Sequence, residues 1–119
     1  MSYIDKFKMN NKNVFVTGGS GLIGNECVTA LLDAGANVVV LDVNEPVNLH
    51  KVTLGYEYFD IANLERIDEN INSLVKKYGT IDCWINIAYP RTSSWADKVE
   101  HLKLSDWRHN VDMHLNSYS

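Results

Sequence analysis

What is scarce in this chain removes several function classes. Only two cysteines occur among 119 residues, Cys27 and Cys83, and neither belongs to a C-x-x-C pair of the kind used by metal and redox sites. Both sit in apolar patterns and read as buried free thiols. Basic residues are outnumbered, with 11 Lys and Arg against 15 Asp and Glu, for a formal net charge of −4. No basic patch marks a nucleic-acid surface. No apolar run approaches the roughly 20 residues that cross a bilayer. The opening MSYIDKFKMNNKN has no apolar core of a secretory leader, so a cytoplasmic location is expected. His50, His101, His109 and His114 lack a ligand spacing with carboxylates or cysteines. They read as surface histidines, and no metal is expected. Internal repeats and low-complexity segments are also missing.

What is present alternates between two periods. Val14 to Thr17, Asn37 to Asp42, the weaker Tyr56 to Phe59, and Ile81 to Ile87 are strand-like. The second is continuously apolar, as in a strand buried on both faces. Between them, Ile23, Cys27, Leu31 and Ala34 recur at helical spacing, and so do Ile61, Leu64, Ile67, Ile71, Leu74 and Tyr78. Gly35 and Gly79 stand where C-terminal glycine caps belong. Ser105 is placed to cap a third helix with Trp107, Val111, Leu115 and Tyr118 on one face. This order predicts an α/β fold: one parallel sheet, strand order 3-2-1-4, with flanking helices. Tyr89 to Leu104 is the longest irregular stretch and leaves the end of the fourth strand, where such sheets build their sites. Nothing in the sequence follows the third helix to cover its apolar face or to pair with the fourth strand. The chain is therefore expected to be the front part of a longer protein and to self-associate as a homo-oligomer.

Gly19-Ser20-Gly21-Leu22-Ile23-Gly24 matches G-x-G-x-x-G between a strand and a helix. The early glycines permit a tight turn. Gly21 leaves room for a pyrophosphate, and Gly24 lets the helix pack closely on the sheet. Free N–H groups at the helix start face the phosphates. No Lys-Ser/Thr follows, which argues against a triphosphate loop. Asp42 ends the second strand at the distance expected for binding the adenosine ribose hydroxyls. Its charge would repel a 2′-phosphate and no Arg follows in VNEP, which favours NAD over NADP. Residues 1–119 are expected to form a single Rossmann-type dinucleotide-binding domain.

The fuller string from Thr17 through Gly18 to Gly24 resembles the T-G-x-x-G-x-x-G signature of the short-chain dehydrogenase/reductase family. Asp60-Ile61 resembles the pair that lies against the adenine ring. The run Asp82 to Ala88 resembles the fourth-strand D-x-L-V-N-N-A-G segment, with Asn86 and Ala88 beside the cofactor. Asp106-Trp107 and Val111 to Asn116 resemble the helix that carries the family's structural-catalytic Asn, here Asn116. The glycine spacing is that of the extended, sugar-nucleotide branch, whereas the fourth strand and the Trp107 helix resemble the single-domain branch. N-N-A-G becomes Asn86-Ile87-Ala88-Tyr89. The run I-N-I-A-Y-P-R resembles flagellin-modification oxidoreductases of nonulosonic-acid synthesis.

The resemblance implies hydride transfer between a nicotinamide cofactor and a carbinol or carbonyl on a sugar-related substrate. It also implies a Ser and a Tyr-x-x-x-Lys after the Asn-bearing helix. Tyr118 is followed only by Ser119, so Asn116 alone of that set can be present, and the 119 residues by themselves are expected to be inactive. Arg91 and Trp95 are candidates for holding substrate by charge and stacking, or for a salt bridge and a packed aromatic. Two other readings stand beside this one. One is an extended-branch epimerase or dehydratase that recycles its cofactor. The other is a non-catalytic dinucleotide-binding or assembly module.

Overall fold

The computed structural model describes residues 1–47 and 53–119; His50 lies outside them. Four strands and three helices follow in the order β1 (Asn13–Thr17), α1 (Leu22–Asp33), β2 (Asn37–Asp42), β3 (Gly55–Tyr58), α2 (Ile67–Tyr78), β4 (Cys83–Asn86) and α3 (Leu104–Ser117). Short 3-10 turns occupy Tyr3–Phe7, Leu64–Arg66 and Val99–His101. The sheet order is β3-β2-β1-β4, as the alternation of periods predicts, and every pairing is parallel. Thr17 lies opposite both Leu41 and Asn86, so the carboxyl ends of three strands finish at one edge.

Burial explains why β1 and β2 occupy the middle. Val14, Phe15, Val16, Val38, Val39 and Leu41 are all fully buried. Their side chains alternate between faces. Val14, Val16, Val38 and Val40 meet Val28 and Leu31 under α1, while Phe15, Val39 and Leu41 meet Phe59, Ile61 and Leu74 under α2. The two cysteines are free and half-buried, and burial pushes the Cys27 thiol above its ordinary pKa.

α1 ends in a Schellman motif. Ala36 N donates to Leu31 O at 3.0 Å, Gly35 N donates to Leu32 O at 2.9 Å, and Gly35 has φ +88°.

The elements differ from the sequence reading in three places. Gly24 and Val28 form the buried face of α1, while Ile23 is 72% exposed because the first turn stands over open space. α2 begins at Ile67, not Ile61. Ile61 is buried in a turn where Asp60 Oδ1 accepts from Ala62 N at 2.9 Å, a local bond that competes with helix. α3 has Lys103 at its N-cap, so Ser105 lies inside the first turn and caps nothing. The buried residues of α3 are Asn110 and Met113, and the face of Trp107, Val111 and Leu115, expected to lack a cover, stands 56%, 46% and 70% exposed. The inward face of this helix carries Asn110 and His114 beside Met113, and these two polar side chains bond to the loop after β4. No helix among the described residues is long and apolar enough to cross a membrane.

Candidate functional site

An open groove of ≈ 900 Å³ runs along the carboxyl edge of the sheet, lined by Gly18, residues 20–24, 42–44, 59–62 and 87–91, and Met113. β1 delivers the glycine loop to it. Gly18 N donates to Leu41 O at 2.8 Å, one step past the strand pairing. Gly18 has φ +69°, and a Cβ there would lie 2.6 Å from Ala88 N. The glycine loop and the loop after β4 therefore meet backbone to backbone. A Cβ on Gly24 would lie 2.0 Å from Gly18 O, so the first turn of α1 closes onto the loop itself and not onto the sheet. At Gly21 the nearest neighbour of such a Cβ is Gly18 O at 3.4 Å, and its outer side is open.

This geometry leaves polar groups for an anion. The N-cap of α1 is Gly21, which has no side chain to offer. Asn25 N donates to Gly21 O at 2.9 Å, so the preceding N–H groups of Leu22, Ile23 and Gly24 have no partner within the helix. Ser20 Oγ is buried without a partner among the described residues. Orphan donors at the positive end of a helix, beside an orphan hydroxyl, fit a phosphate.

Asp42 stands next to them at the end of β2. Its Oδ2 accepts from Ser20 N at 3.1 Å, and its Oδ1 accepts from Asn44 N at 3.0 Å. Tyr56 OH donates to Asp42 O at 3.1 Å. Burial first, and the Asp42 charge second, hold the Tyr56 phenol above its ordinary pKa. Asp60 and Ile61 line the same groove. The groove thus brings Gly18, Ser20, Gly21, Leu22, Ile23, Gly24, Asp42, Asp60, Ile61 and Ala88 together.

Three candidates stand outside it. Gly19 is packed behind the loop, where a Cβ would lie 2.9 Å from Val40 Cγ1. Asn86 Oδ1 accepts from Trp84 Nε1 at 2.8 Å and from Thr17 Oγ1 at 3.2 Å. Asn116 is exposed, donates to Asp112 Oδ1, and borders a smaller apolar groove of ≈ 260 Å³ shared with Phe59, Ile71 and Trp84.

Sequence reasoning left several residues of the site without a role. Thr17 is 1% exposed, and its hydroxyl accepts from Ile87 N at 3.3 Å, tying β1 to the loop after β4. His114, expected on the surface, is half-buried, and its Nε2 donates to Pro90 O at 2.5 Å. Tyr118 OH donates to Ala88 O at 2.6 Å. Asn110 Oδ1 accepts from Thr92 N at 2.9 Å. Asn110, His114 and Tyr118 are spaced four apart, a pattern the sequence carries without showing what it faces. Trp95 is a packed aromatic, its ring edge-on to Tyr89 at 5.8 Å and to His114 at 5.6 Å. Arg91 is exposed at the groove mouth.

Comparison with known proteins follows this geometry. A family model described as short chain dehydrogenase matches residues 12–119. Galactitol 2-dehydrogenase from Rhizobium johnstonii is 30% identical over 98% of this chain and 47% of its own length. Post-translational flagellin modification protein A from Campylobacter coli is 26% identical over 92% of this chain and 47% of its own. Among solved structures, a short chain dehydrogenase from Leptospira borgpetersenii with bound NAD+ superposes with a TM-score of 0.81 at 28% identity, over 99% of this chain and 45% of that one. The chain spans about a third to a half of the length of the curated relatives it matches.

Proposed function

The chain belongs to the short-chain dehydrogenase family, and on that premise we propose that it forms the dinucleotide-binding part of an NAD-dependent oxidoreductase. The observation that carries the proposal is the Asp42 carboxylate held on the glycine loop, beside the first turn of α1, whose N–H groups have no partner within the helix. The glycine loop takes the pyrophosphate and Asp42 takes the adenosine ribose. Asp60 and Ile61 border the adenine, and the loop at Ala88 faces the nicotinamide side. A bound nicotinamide supplies the hydride acceptor or donor. The chain's own part is to hold that group at the carboxyl edge of the sheet.

The substrate class proposed is a sugar-related carbinol or carbonyl. The support is the naming of relatives such as galactitol 2-dehydrogenase and flagellin modification protein A. Asn116 is kept as a candidate of the catalytic set on the family resemblance alone. We place the protein in the cytoplasm as a homo-oligomer, a state that sedimentation measures directly and a clean monomer would exclude. Calorimetric titration with NAD and NADP tests the cofactor assignment. Tighter binding of NAD is expected, with Asp42→Asn lowering its affinity about tenfold, a loss of roughly 1.4 kcal/mol in line with one charge-assisted hydrogen bond. NADP binding as tightly as NAD would overturn the assignment.

A further inference from the structure

The loop after β4 is held by two side chains from one face of α3 and a third from its C-cap residue, Tyr118. Tyr118 reaches Ala88 O, His114 reaches Pro90 O, and Asn110 reaches Thr92 N. The helix positions are four apart and the loop positions two apart, running in opposite directions. The match is geometric. Four helical residues advance about 6 Å, and two residues of near-extended chain advance at most roughly 7 Å. The ladder is rigid at its middle rung, where the His114 ring packs against Tyr89 with centroids 4.3 Å apart and against Trp95 at 5.6 Å. Burial, then the nearby Tyr89, keeps the Tyr118 phenol above its ordinary pKa, so it remains a hydrogen-bond donor at neutral pH.

Residues 87–91, which this ladder holds, are also one wall of the groove, and Ala88 touches Gly18. We propose that His114 is a positioning residue for the cofactor: through Pro90 it sets the wall that the nicotinamide side of a dinucleotide lies against. This rests on the dinucleotide reading given above. Asn116 and His114 lie two positions apart on α3, roughly 200° around the helix, so they cannot share this face. His114 is the one that meets the loop.

The rungs differ in what they control. Asn110 is 3% exposed, and its contact at Thr92 is an anchor outside the groove lining. The adenosine side is held by Asp42 and the start of α1, and none of the three rungs bonds to either. A change at His114 therefore alters binding of the whole dinucleotide and leaves binding of its ADP part unchanged.

The test is calorimetric titration of the full chain with NAD and with ADP, in wild type, His114→Ala and His114→Gln. The expected result is an affinity for NAD about tenfold weaker in H114A, unchanged affinity for ADP, and recovery to within about threefold in H114Q, whose amide can again donate to Pro90 O. A merely structural role would lower both affinities together. Equal loss of NAD and ADP in H114A, or no loss of either, overturns the proposal alone. Failure of the unsubstituted chain to bind either ligand overturns the dinucleotide reading and the proposal with it.

Discussion

Gly18 carries two constraints that no other residue type meets. Its φ of +69° is costly for a residue with a Cβ, and that Cβ would press on backbone atoms of Ala88 that have no rotamer to relax into. Gly18→Ala is expected to destabilise the fold by more than about 2 kcal/mol. Gly21→Ala, whose Cβ meets only one atom at 3.4 Å, is expected to cost less than about 1 kcal/mol. Urea unfolding of both variants measures the difference, and equal midpoints would contradict it. The presence of a tight glycine turn was legible because its strand and helix flank it in the sequence. Its partner was not, because Ala88 arrives from 70 positions away. Nor was the identity of the α3 side chains that face the loop. Helical phase is set by what the helix packs against, and here that is a loop whose path the sequence does not display.

Elements were legible in proportion to their burial. β1 and β2 have apolar side chains on both faces, which leaves a continuous run in the sequence. The edge strand β3 has the weaker pattern GYEY, and its inward residues are only partly buried. It is secured instead by polar contacts to α2. Tyr78 OH donates to Glu57 Oε1 at 2.7 Å, and Lys77 Nζ donates to the same oxygen. The Lys77 hydrogen bond first, with Tyr78 adding to it against burial, holds the Glu57 carboxyl below its ordinary 4.5. A carboxyl with a lowered folded pKa stabilises the fold above its unfolded pKa. That contribution disappears as pH falls from 4.5 through the lower folded value. Wild type is thus expected to exceed Glu57→Gln in stability at pH 7 by up to about 1 kcal/mol, the scale of a solvent-exposed ion pair. The gap should close as pH falls below the folded value and the carboxyl protonates. Urea midpoints of the two proteins across that range give the curve, and a gap that widens toward acid would reverse the assignment. Sequence period could not foresee this pairing, because it joins a strand to a helix 20 positions later through polar groups.

At the scale of the molecule, the sheet has two cores on its opposite faces and a site at the edge between them. α3 joins that arrangement mainly by its polar face, which leaves Leu104, Trp107, Val111 and Leu115 outward. The apolar stripe was legible, and it stands uncovered among the described residues as expected, because apolar spacing reports a face without supplying what covers it. The groove is assembled from segments after β1, β2, β3 and β4 together with Met113 of α3. A dinucleotide lying there touches all five, and the unfolded chain brings none of them together. Binding then stabilises the native state by RT ln(1 + [L]/Kd), about 2.7 kcal/mol at a hundred times Kd. For a chain of this size that corresponds to a rise in Tm of roughly 10 °C. Adenosine at the same multiple of its own Kd must give the same free-energy shift, so the informative comparison is at equal concentration. There the dinucleotide should raise Tm well above adenosine, because it gains the glycine loop and the wall at Ala88 as well as Asp42. Thermal melts followed by circular dichroism decide the matter. Equal shifts from the two ligands would mean that only the adenosine end is held and that the Gly18–Ala88 junction takes no part in binding.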